Sequence, residues 1–334
     1  MFIFVSGGKT MGHISPLLSI ILALKDKYHF VYFGLSGSME EEVCKNYDIM
    51  FFPLKILPFD RKNILNNFKT FYLMYKETKR IKQNYKKVEN KAIISTGGFV
   101  SIPLFMALKS KRKILLESNT TLGLANRFLS SKATYIGVNF DTIKSKKKVV
   151  VGNPIKIRTS DFDHPFFYYN DPLILFVGGS NGAFEIVKVA YEFNKKYPDL
   201  KIFVITGKRY YQTFTFNENA RVFEKIDNLS SIFHKFKLVV SRAGAATITE
   251  LLLSNSIFIL VPSNNVSGNH QVLNAKFLEE NGVCEVIYDI SDMNYLSLIH
   301  DLLYNTNSHE KYRNNIKKIL VKDSLKKVIN LIEK

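Results

Sequence analysis

The sequence is poor in cysteine, in long apolar runs and in acidic residues, and each shortage narrows the class of protein. Cys44 and Cys284 are two lone cysteines in 334 residues, which argues against a disulfide framework or a CxxC metal or redox site. No apolar run approaches the roughly 20 residues that a membrane-spanning helix needs. The N-terminus runs directly into an apolar strand and a glycine turn, so we expect no leader peptide and a cytosolic site of action.

The shortage of acidic residues is confined to the N-terminal half. Residues 1–158 carry 27 Lys and Arg against 10 Asp and Glu, whereas residues 159–334 carry 20 against 19. Basic residues are densest at 55–87, where aromatic and aliphatic side chains are interleaved with them. Such a segment suits the surface of an anionic membrane, although a solvated helix whose aromatic rings pack on the domain is the alternative. No recognised nucleic-acid motif accompanies the charge, so we expect no nucleic-acid partner.

Short apolar runs alternate with helical stretches, and this pattern restarts near residue 173. The alternation predicts an α/β fold with parallel sheets, whose ligands bind at the carboxyl ends of the strands. Hydrophobic residues make up 46% of the chain, enough for two domains of ordinary size. The turn-rich segment 152–172 is predicted as the joint between a domain of residues 1–158 and one of residues 159–314. A basic amphipathic helix at about 315–334 is expected to pack back on the first domain.

Two glycine-rich turns each follow an apolar strand and open a helix. They are FIFVSGGKTMGH at 2–13 and LILFVGGSNGA at 173–183. Glycine permits backbone conformations and close approaches that other residues do not, and the helix start behind each turn offers N–H groups to an anion. The two turns therefore predict two phosphate-bearing ligands.

Seven segments resemble one family, in order and at the family's spacing. They are GGKTMGHISPLL (7–18), STGGFVSIP (95–103), ESNTTLGLANRFLS (117–130), VGNP (151–154), GGSNGA (178–183), SRAGAATITE (241–250) and NHQVLNAKFLEENG (269–282). The chain resembles the MurG family, the N-acetylglucosaminyltransferases that convert lipid I to lipid II in peptidoglycan synthesis. The resemblance implies a GT-B fold, two Rossmann-like domains with the active site in their cleft. It also implies that the N-terminal domain binds lipid I and the C-terminal domain binds UDP-GlcNAc.

The resemblance places the donor site in the C-terminal half. The turn at Gly179, Ser180 and Gly182 is expected to bind the UDP diphosphate through N–H groups and the serine hydroxyl. Glu250 matches the family's ribose ligand, although Thr247 three residues earlier also permits a helix capping box. Gln271 and Asn274 share a helix face, and their neutral amides suit a sugar. Further donor positions are Ile226, whose backbone would pair with uracil, Arg242, Gly244, Thr247 and, for the Arg that the family has after GNP, Lys156 or Arg158.

The acceptor residues are expected in the N-terminal half. His13 follows the first glycine turn at a helix start, where the positive end of the helix dipole favours a neutral ring that accepts a proton. We therefore expect His13 to be the catalytic base, with Glu117 as the alternative, and Thr10, Gly12 and Asn119 to bind the acceptor. The chain departs from the family pattern mainly in this half. The departures are Lys9 and Met11 at two glycine positions, Phe99 for Tyr and Ser118 for Gln, with His270 for Gln in the donor half.

Asp161-Phe162-Asp163 resembles the DxD motif of metal-dependent glycosyltransferases. It lies in the predicted joint, away from both glycine turns, and GT-B enzymes usually stabilise the leaving phosphate with helix dipoles and side chains. We therefore expect a solvated turn there, and neither a catalytic metal nor a cofactor.

The preferred interpretation is a peripheral enzyme at the cytoplasmic face of the membrane. The alternatives are a related enzyme that glycosylates diacylglycerol or epimerises UDP-GlcNAc, and a non-catalytic binding protein derived from the family.

Overall fold

The structure, a computed structural model, divides the chain into two compact units. It describes residues 1–8, 10–60, 67–157, 159–169, 173–179, 182–264 and 267–334. The first unit consists of Met1–Lys156 and Val321–Lys334, and the second of Ile157–Leu320. Strands and helices alternate in both units because each apolar strand is followed by a stretch long enough to cross back over the sheet.

The first unit is built on a parallel sheet covered on both faces. Its strands are β1 (Phe2–Gly7), β2 (His29–Leu35), β3 (Met50–Leu54), β4 (Asn90–Gly97), β5 (Lys113–Glu117), β6 (Tyr135–Val138) and β7 (Lys148–Val150). Its helices are α1 (Met11–Leu24), α2 (Met39–Asn46), α3 (Asn67–Tyr85), α4 (Ser101–Ala107), α5 (Leu124–Leu129) and, from the C-terminus, α11 (Ser324–Glu333). The described strands lie in the order β3-β2-β1-β4-β5-β6-β7. Successive residues of β1 alternate between two cores, Phe4 in one and Ile3 and Val5 in the other.

The second unit repeats this architecture. Its strands are β8 (Leu173–Val177), β9 (Lys201–Ile205), β10 (Ala220–Phe223), β11 (Leu238–Ser241), β12 (Phe258–Leu260) and β13 (Glu285–Val286). Its helices are α6 (Phe184–Lys196), α7 (Ala245–Leu253), α8 (His270–Glu280), α9 (Tyr295–Tyr304) and α10 (Thr306–Ile319). The described strands are parallel and lie in the order β10-β9-β8-β11-β12-β13. Each sheet reverses its strand order once, at β1/β4 and at β8/β11, and such a switch point opens a crevice at the carboxyl ends of the strands.

Two edge strands, β3 and β10, were not predicted from the sequence. They lie outside the apolar runs that predict strands, which are 2–5, 30–33, 92–95, 113–116, 135–138, 148–151, 173–177, 202–206, 238–241, 258–261 and 283–287. Strand β3 contains Pro53, which pairs with Gly34 of β2 at the edge of the sheet. Proline has no N–H group and is tolerated in a strand with a free edge. Strand β10 has only one buried residue, Ala220, so it lacks the continuous apolar run of a central strand. The sequence pattern therefore indicates the central strands more clearly than the edges.

Both cysteines are buried packing residues with free thiols. Cys44 belongs to the core of the first unit, and burial raises the pKa of its thiol to about 12. Burial also raises the pKa of Cys284 in the second unit well above its ordinary value. Two protonated thiols in different units fit the expectation that neither cysteine forms a disulfide.

The predicted joint and the C-terminal segment are both firmly packed. Phe162 and Phe167, within the joint, make edge-on ring contacts of 5.5 Å to Phe223 and 5.7 Å to Phe236 in the second unit. The C-terminal segment is two helices, because the chain turns at Asp323, whose φ is 55°. Helix α11 packs on α1 in the first unit, and Lys27 and Glu333 form an ion pair of 2.6 Å there.

The docking of α11 explains the glycine of the VGNP segment. Gly152 has a φ of +78°, and a Cβ atom there would lie 2.1 Å from the hydroxyl of Ser324 and 2.9 Å from Cβ of Val321. Any larger residue would therefore strain the backbone and displace the first turn of α11. This glycine is required by packing within the unit.

Replacement of Gly152 by alanine is expected to lower the free energy of unfolding by about 2–4 kcal/mol, because backbone strain and overpacking add. Gly37→Ala is the matched control, since Gly37 has a φ of +70° but no atom within 4 Å of the added Cβ. It should lose only the strain component, about 1 kcal/mol. Urea denaturation of both variants measures the difference, and equal losses would contradict a role in docking α11.

Candidate active site

The carboxyl ends of β1 and β4 meet at the switch point of the first sheet. Strand β1 ends at Gly7, where a Cβ atom would lie 2.0 Å from the hydroxyl of Thr96 in β4. Gly98 has a φ of +81° and follows β4, and a Cβ there would lie 3.9 Å from the carbonyl oxygen of Gly8. Gly7 and Gly8 are not among the glycines with positive φ, so the first turn needs them for close packing and not, as expected, for an unusual conformation.

His13 is attached to this switch point by two hydrogen bonds to Thr96. Its ring Nδ1 lies 2.8 Å from the carbonyl oxygen of Thr96, whose hydroxyl donates to the carbonyl oxygen of His13 at 2.7 Å. A carbonyl oxygen only accepts, so Nδ1 carries the proton of the neutral ring and Nε2 carries the lone pair. The ring is half-buried in the first turn of α1. The hydrogen bond at Nδ1 therefore orients the ring and fixes its tautomer.

The start of α1 places the other residues of the first glycine turn. Thr10 is the exposed N-cap of α1; its carbonyl oxygen accepts from the N–H of His13 at 3.0 Å, and its side chain makes no capping bond. Gly12 is half-buried in the first helical turn, and Met11 is exposed. Lys9 lies outside the described residues. Helix α1 therefore begins without a side-chain cap, as an anion-binding helix start does.

Glu117 is buried and accepts four hydrogen bonds. Its Oε1 accepts from the backbone and side-chain nitrogens of Asn119, at 3.1 and 2.9 Å. Its Oε2 accepts from the backbone of Gly123 and the side chain of Asn126, both at 2.9 Å. These four hydrogen bonds direct both carboxyl oxygens at the donors of the loop. Glu117 therefore organises residues 117–126, and its buried partner Asn126 was not predicted from the sequence.

The second glycine turn does use the conformations that only glycine adopts readily. Gly179 and Gly182 have φ values of +77° and +78°. A Cβ atom at Gly182 would also lie 2.6 Å from the carbonyl oxygen of Thr206. Helix α6 starts after Ala183 without a side-chain cap, so its first N–H groups can bind an anion. Ser180 lies outside the described residues.

Arg242 follows β11 at the switch point of the second sheet. Its guanidinium donates to the carbonyl oxygen of Val261 at 3.0 Å and to the carboxylate of Glu185. Glu185 lies in the first turn of α6, directly behind the glycine turn. Arg242 was predicted from the sequence, whereas Glu185 was not, because no local pattern connects residues 57 positions apart.

Glu250 is not part of a capping box. Helix α7 begins at Ala245 with Gly244 as its N-cap, so Thr247 is the third helical residue and cannot cap the helix start. The Glu250 side chain is partly exposed, and desolvation by its surroundings raises the pKa of its carboxyl to about 7. A hydrogen bond from the Ser230 hydroxyl lowers this pKa and does not offset the desolvation. The capping alternative is thus wrong, and the carboxyl is left for another role.

The two amides of α8 differ in exposure. Gln271 is half-buried, and its Oε1 accepts from the backbone of Ser263 at 2.9 Å, which leaves its NH₂ group as the donor end. Asn274 is fully buried, and its Nδ2 lies 3.2 Å from the carbonyl oxygen of Ala243. Asn274 therefore joins α8 to the turn that contains Gly244, whereas Gln271 is accessible. His270, half-buried, opens the helix.

The remaining predicted site residues are Ile226 and those of the predicted joint. Ile226 is buried just beyond β10, Lys156 is exposed at the end of the first unit's main segment, and Arg158 lies outside the described residues. Asp163 accepts a hydrogen bond from Tyr168 at 2.8 Å, and Phe162 packs among aromatic rings. Within the described ranges, no three His, Cys, Asp or Glu side chains converge to hold a metal ion.

Comparison with known sequences identifies the family. Models of glycosyltransferase family 28 match the chain at residues 3–138 for the N-terminal domain and 173–332 for the C-terminal domain. A UDP-N-acetylglucosamine–N-acetylmuramyl-(pentapeptide) pyrophosphoryl-undecaprenol N-acetylglucosamine transferase of Lactobacillus johnsonii is 32% identical over 368 residues, covering 100% of this chain and 98% of the relative. Its namesake from Thermoanaerobacter is 31% identical and covers 98% of each chain.

Solved structures agree on the fold. The crystal structure of Acinetobacter baumannii MurG has a TM-score of 0.75 at 21% identity and covers 99% of each chain. The calicheamicin glycosyltransferase CalG4 has a TM-score of 0.73 at 10% identity and covers 99% of this chain and 98% of its own. The expected GT-B fold class is thereby confirmed, and so is the resemblance found in the sequence. This chain belongs to glycosyltransferase family 28 and, within it, to the MurG family.

Proposed function

We propose that the protein transfers N-acetylglucosamine from UDP-N-acetylglucosamine to the 4-hydroxyl of the N-acetylmuramyl sugar of lipid I, giving lipid II for peptidoglycan synthesis. The observation that carries the proposal is the full-length likeness to transferases named for this reaction, at 32% identity through both units. The structure supports it with a basic histidine nitrogen in one unit and an uncapped glycine-turn helix in the other.

In this proposal the second unit binds the donor. The N–H groups from Gly179 to the start of α6 bind the diphosphate, and Arg242 or Lys156 adds positive charge. The Glu250 carboxylate accepts hydrogen bonds from the ribose hydroxyls, and the backbone at Ile226 pairs with uracil. The amide of Gln271 binds the hexosamine, while the buried Asn274 holds α8 in place. These groups stabilise UDP as it leaves with negative charge, so the reaction needs neither a metal nor a cofactor.

The first unit binds the acceptor and supplies the base. The acceptor oxygen bonds to the anomeric carbon while the bond from that carbon to the UDP oxygen breaks. The acceptor proton passes to Nε2 of His13, which already carries the lone pair. We prefer His13 to Glu117 because the Glu117 carboxylate is engaged by four donors of its own loop. A single displacement on an α-linked donor inverts the anomeric centre and gives a β-1,4 linkage.

The proposed reaction is tested by incubating the protein with UDP-[¹⁴C]GlcNAc and either lipid I or diacylglycerol, with EDTA present. We expect label only in lipid II, in a β-linkage, at full rate. Label in diacylglycerol would mean that diacylglycerol, and not lipid I, is the acceptor. An α-linked product would rule out a single displacement. Activity that EDTA abolishes and Mg²⁺ or Mn²⁺ restores would contradict the metal-independent mechanism.

Helix α3 carries the surface that we propose contacts the membrane. Thr70, Met74 and Glu77 share its buried face. On the opposite side Phe68, Phe71, Tyr72 and Tyr75 are 57–71% exposed. The ammonium of Lys79 lies 4.7 Å from the centre of the Tyr75 ring, and Lys76 and Lys82 are exposed nearby on the helix. An aromatic stripe bordered by lysines fits the interface of an anionic bilayer, at the cytoplasmic face where UDP-GlcNAc is available.

No helix in the described ranges is long and apolar enough to cross a bilayer.

Replacing Lys76, Lys79 and Lys82 together by glutamate should reduce binding to anionic vesicles by at least about a hundredfold, since each lysine contributes about 1 kcal/mol. Activity on a short-chain soluble acceptor should remain. Arg80 is left unchanged because it bonds to Glu77 and to the carbonyl oxygen of Pro53. The control reverses Lys25, Lys109 and Lys111, exposed lysines outside α3 with the same total charge. Vesicle sedimentation measures the binding of both variants. Equal losses of binding would show that the effect depends on net charge alone and not on the surface of α3.

A further inference from the structure

A carboxylate lies where the donor's diphosphate is proposed to bind. Glu185 is the second residue of α6, directly behind the glycine turn. Anions at a helix start are stabilised by the helix dipole, so Glu185 and a bound diphosphate favour the same region and repel each other. A phosphate-binding turn followed at once by an acidic residue is therefore a conflict, unless the acidic residue has a partner.

Arg242 is that partner. It follows β11, whose last residue Ser241 pairs with Val177, the last residue of the strand before the glycine turn. Its guanidinium is held by Glu185 on one side and by the carbonyl oxygen of Val261 on the other. The Arg242 side chain is 16% exposed and that of Glu185 is 36% exposed, so the pair is only partly screened by water. Two of the guanidinium nitrogens are thus engaged within the unit, and its charge is largely compensated.

We propose that Glu185 is a positioning residue that sets the affinity of the donor site for a nucleoside diphosphate. It holds Arg242 beside the glycine turn and compensates its charge, so UDP binds more weakly than it would to an uncompensated site. The reaction needs UDP to leave after each transfer, and a site with uncompensated charge would retain it. This inference rests on the proposed function, because it takes UDP as the ligand of the turn.

Glu185→Gln tests the charge alone, since the glutamine oxygen can still accept a hydrogen bond from Arg242. Calorimetry at low salt should show UDP binding about three- to fivefold tighter than in the wild type, with the gain falling as salt rises. The affinity for uridine, which has no phosphate, is measured by competition and should be the same in Glu185→Gln as in the wild type. Glu185→Ala removes the bond as well and should gain less than Glu185→Gln. In steady state, Glu185→Gln should lower the KM for UDP-GlcNAc and be inhibited more strongly by UDP.

Glu192→Gln is the matched control, because it removes the same charge from α6 two turns away, about 10 Å along the axis. It should leave UDP affinity unchanged, and thermal unfolding of all variants monitors their stability. UDP binding that is unchanged or weaker in Glu185→Gln would overturn the inference. A wild-type protein that does not bind UDP would instead overturn the proposed function. An equal gain for uridine and UDP would show that the change acts through the nucleoside, which also contradicts the role assigned to Glu185.

Discussion

His13→Ala is expected to lower kcat by about 10² to 10⁴ while the affinity for UDP stays within about twofold. The Nδ1 atom of His13 is bound to the carbonyl oxygen of Thr96, so the neutral ring has its lone pair on Nε2. Loss of the ring removes the proposed proton acceptor, whereas the donor residues belong to the other unit. Steady-state kinetics with saturating acceptor and calorimetry with UDP measure the two effects separately.

His13→Asn separates proton transfer from orientation. An asparagine amide can donate to the carbonyl oxygen of Thr96 but cannot take a proton from the acceptor. We expect this variant to lose nearly as much kcat as His13→Ala. Near-normal turnover would exclude His13 as the base and direct attention to Glu117. The comparison variant is Glu117→Gln, in which one acceptor oxygen is replaced by a donor that faces the N–H groups of its loop. Its main effect should be lower stability and a higher KM for the acceptor.

The central strands, both glycine turns and the position of His13 could be predicted because each is local in the sequence. Apolar runs indicate buried strands, and a glycine turn followed by a helix indicates a ligand at the strand end. The edge strand β3 was missed because Pro53 interrupts it. The capping box at Thr247 was wrong because α7 starts three residues earlier than that pattern required, with Gly244 as its N-cap. Local patterns find helices more reliably than they find the first residue of a helix.

The electrostatic partners could not be predicted, because they join elements that are far apart in the chain. Glu185 and Arg242 meet only because β8 and β11 are neighbours at the switch point. The reason for Gly152 was hidden in the same way, since its neighbour Ser324 comes from the C-terminal helix. A motif shared with a family identifies a glycine such as Gly152 from the sequence. Only the three-dimensional contacts distinguish a glycine that approaches a ligand from one that packs beneath a helix.

Binding of UDP is expected to weaken about tenfold between pH 8 and pH 6, because burial raises the pKa of Glu250 to about 7. The proposed ribose contact needs the ionised carboxylate, which accepts from two hydroxyls. At pH 8 most of the protein carries that form, whereas at pH 6 only about a tenth does, and binding must then release a proton. UDP itself takes up a proton near pH 6, and this affects the wild type and Glu250→Gln alike. The quantity to follow with pH is therefore the ratio of the UDP affinity of the wild type to that of Glu250→Gln.

The same raised pKa has the opposite consequence for stability. Between the ordinary pKa of about 4.5 and the folded value of about 7, the folded state binds more protons than the unfolded state. The contribution of Glu250 to the free energy of unfolding is therefore largest below the ordinary pKa of 4.5. It is lost as the pH rises through the folded value of about 7. Glu250→Gln should show no such loss, and it should bind UDP with a pH profile set by the nucleotide alone. Parallel profiles for the wild type and Glu250→Gln would contradict a ribose contact made by a carboxyl whose pKa is about 7.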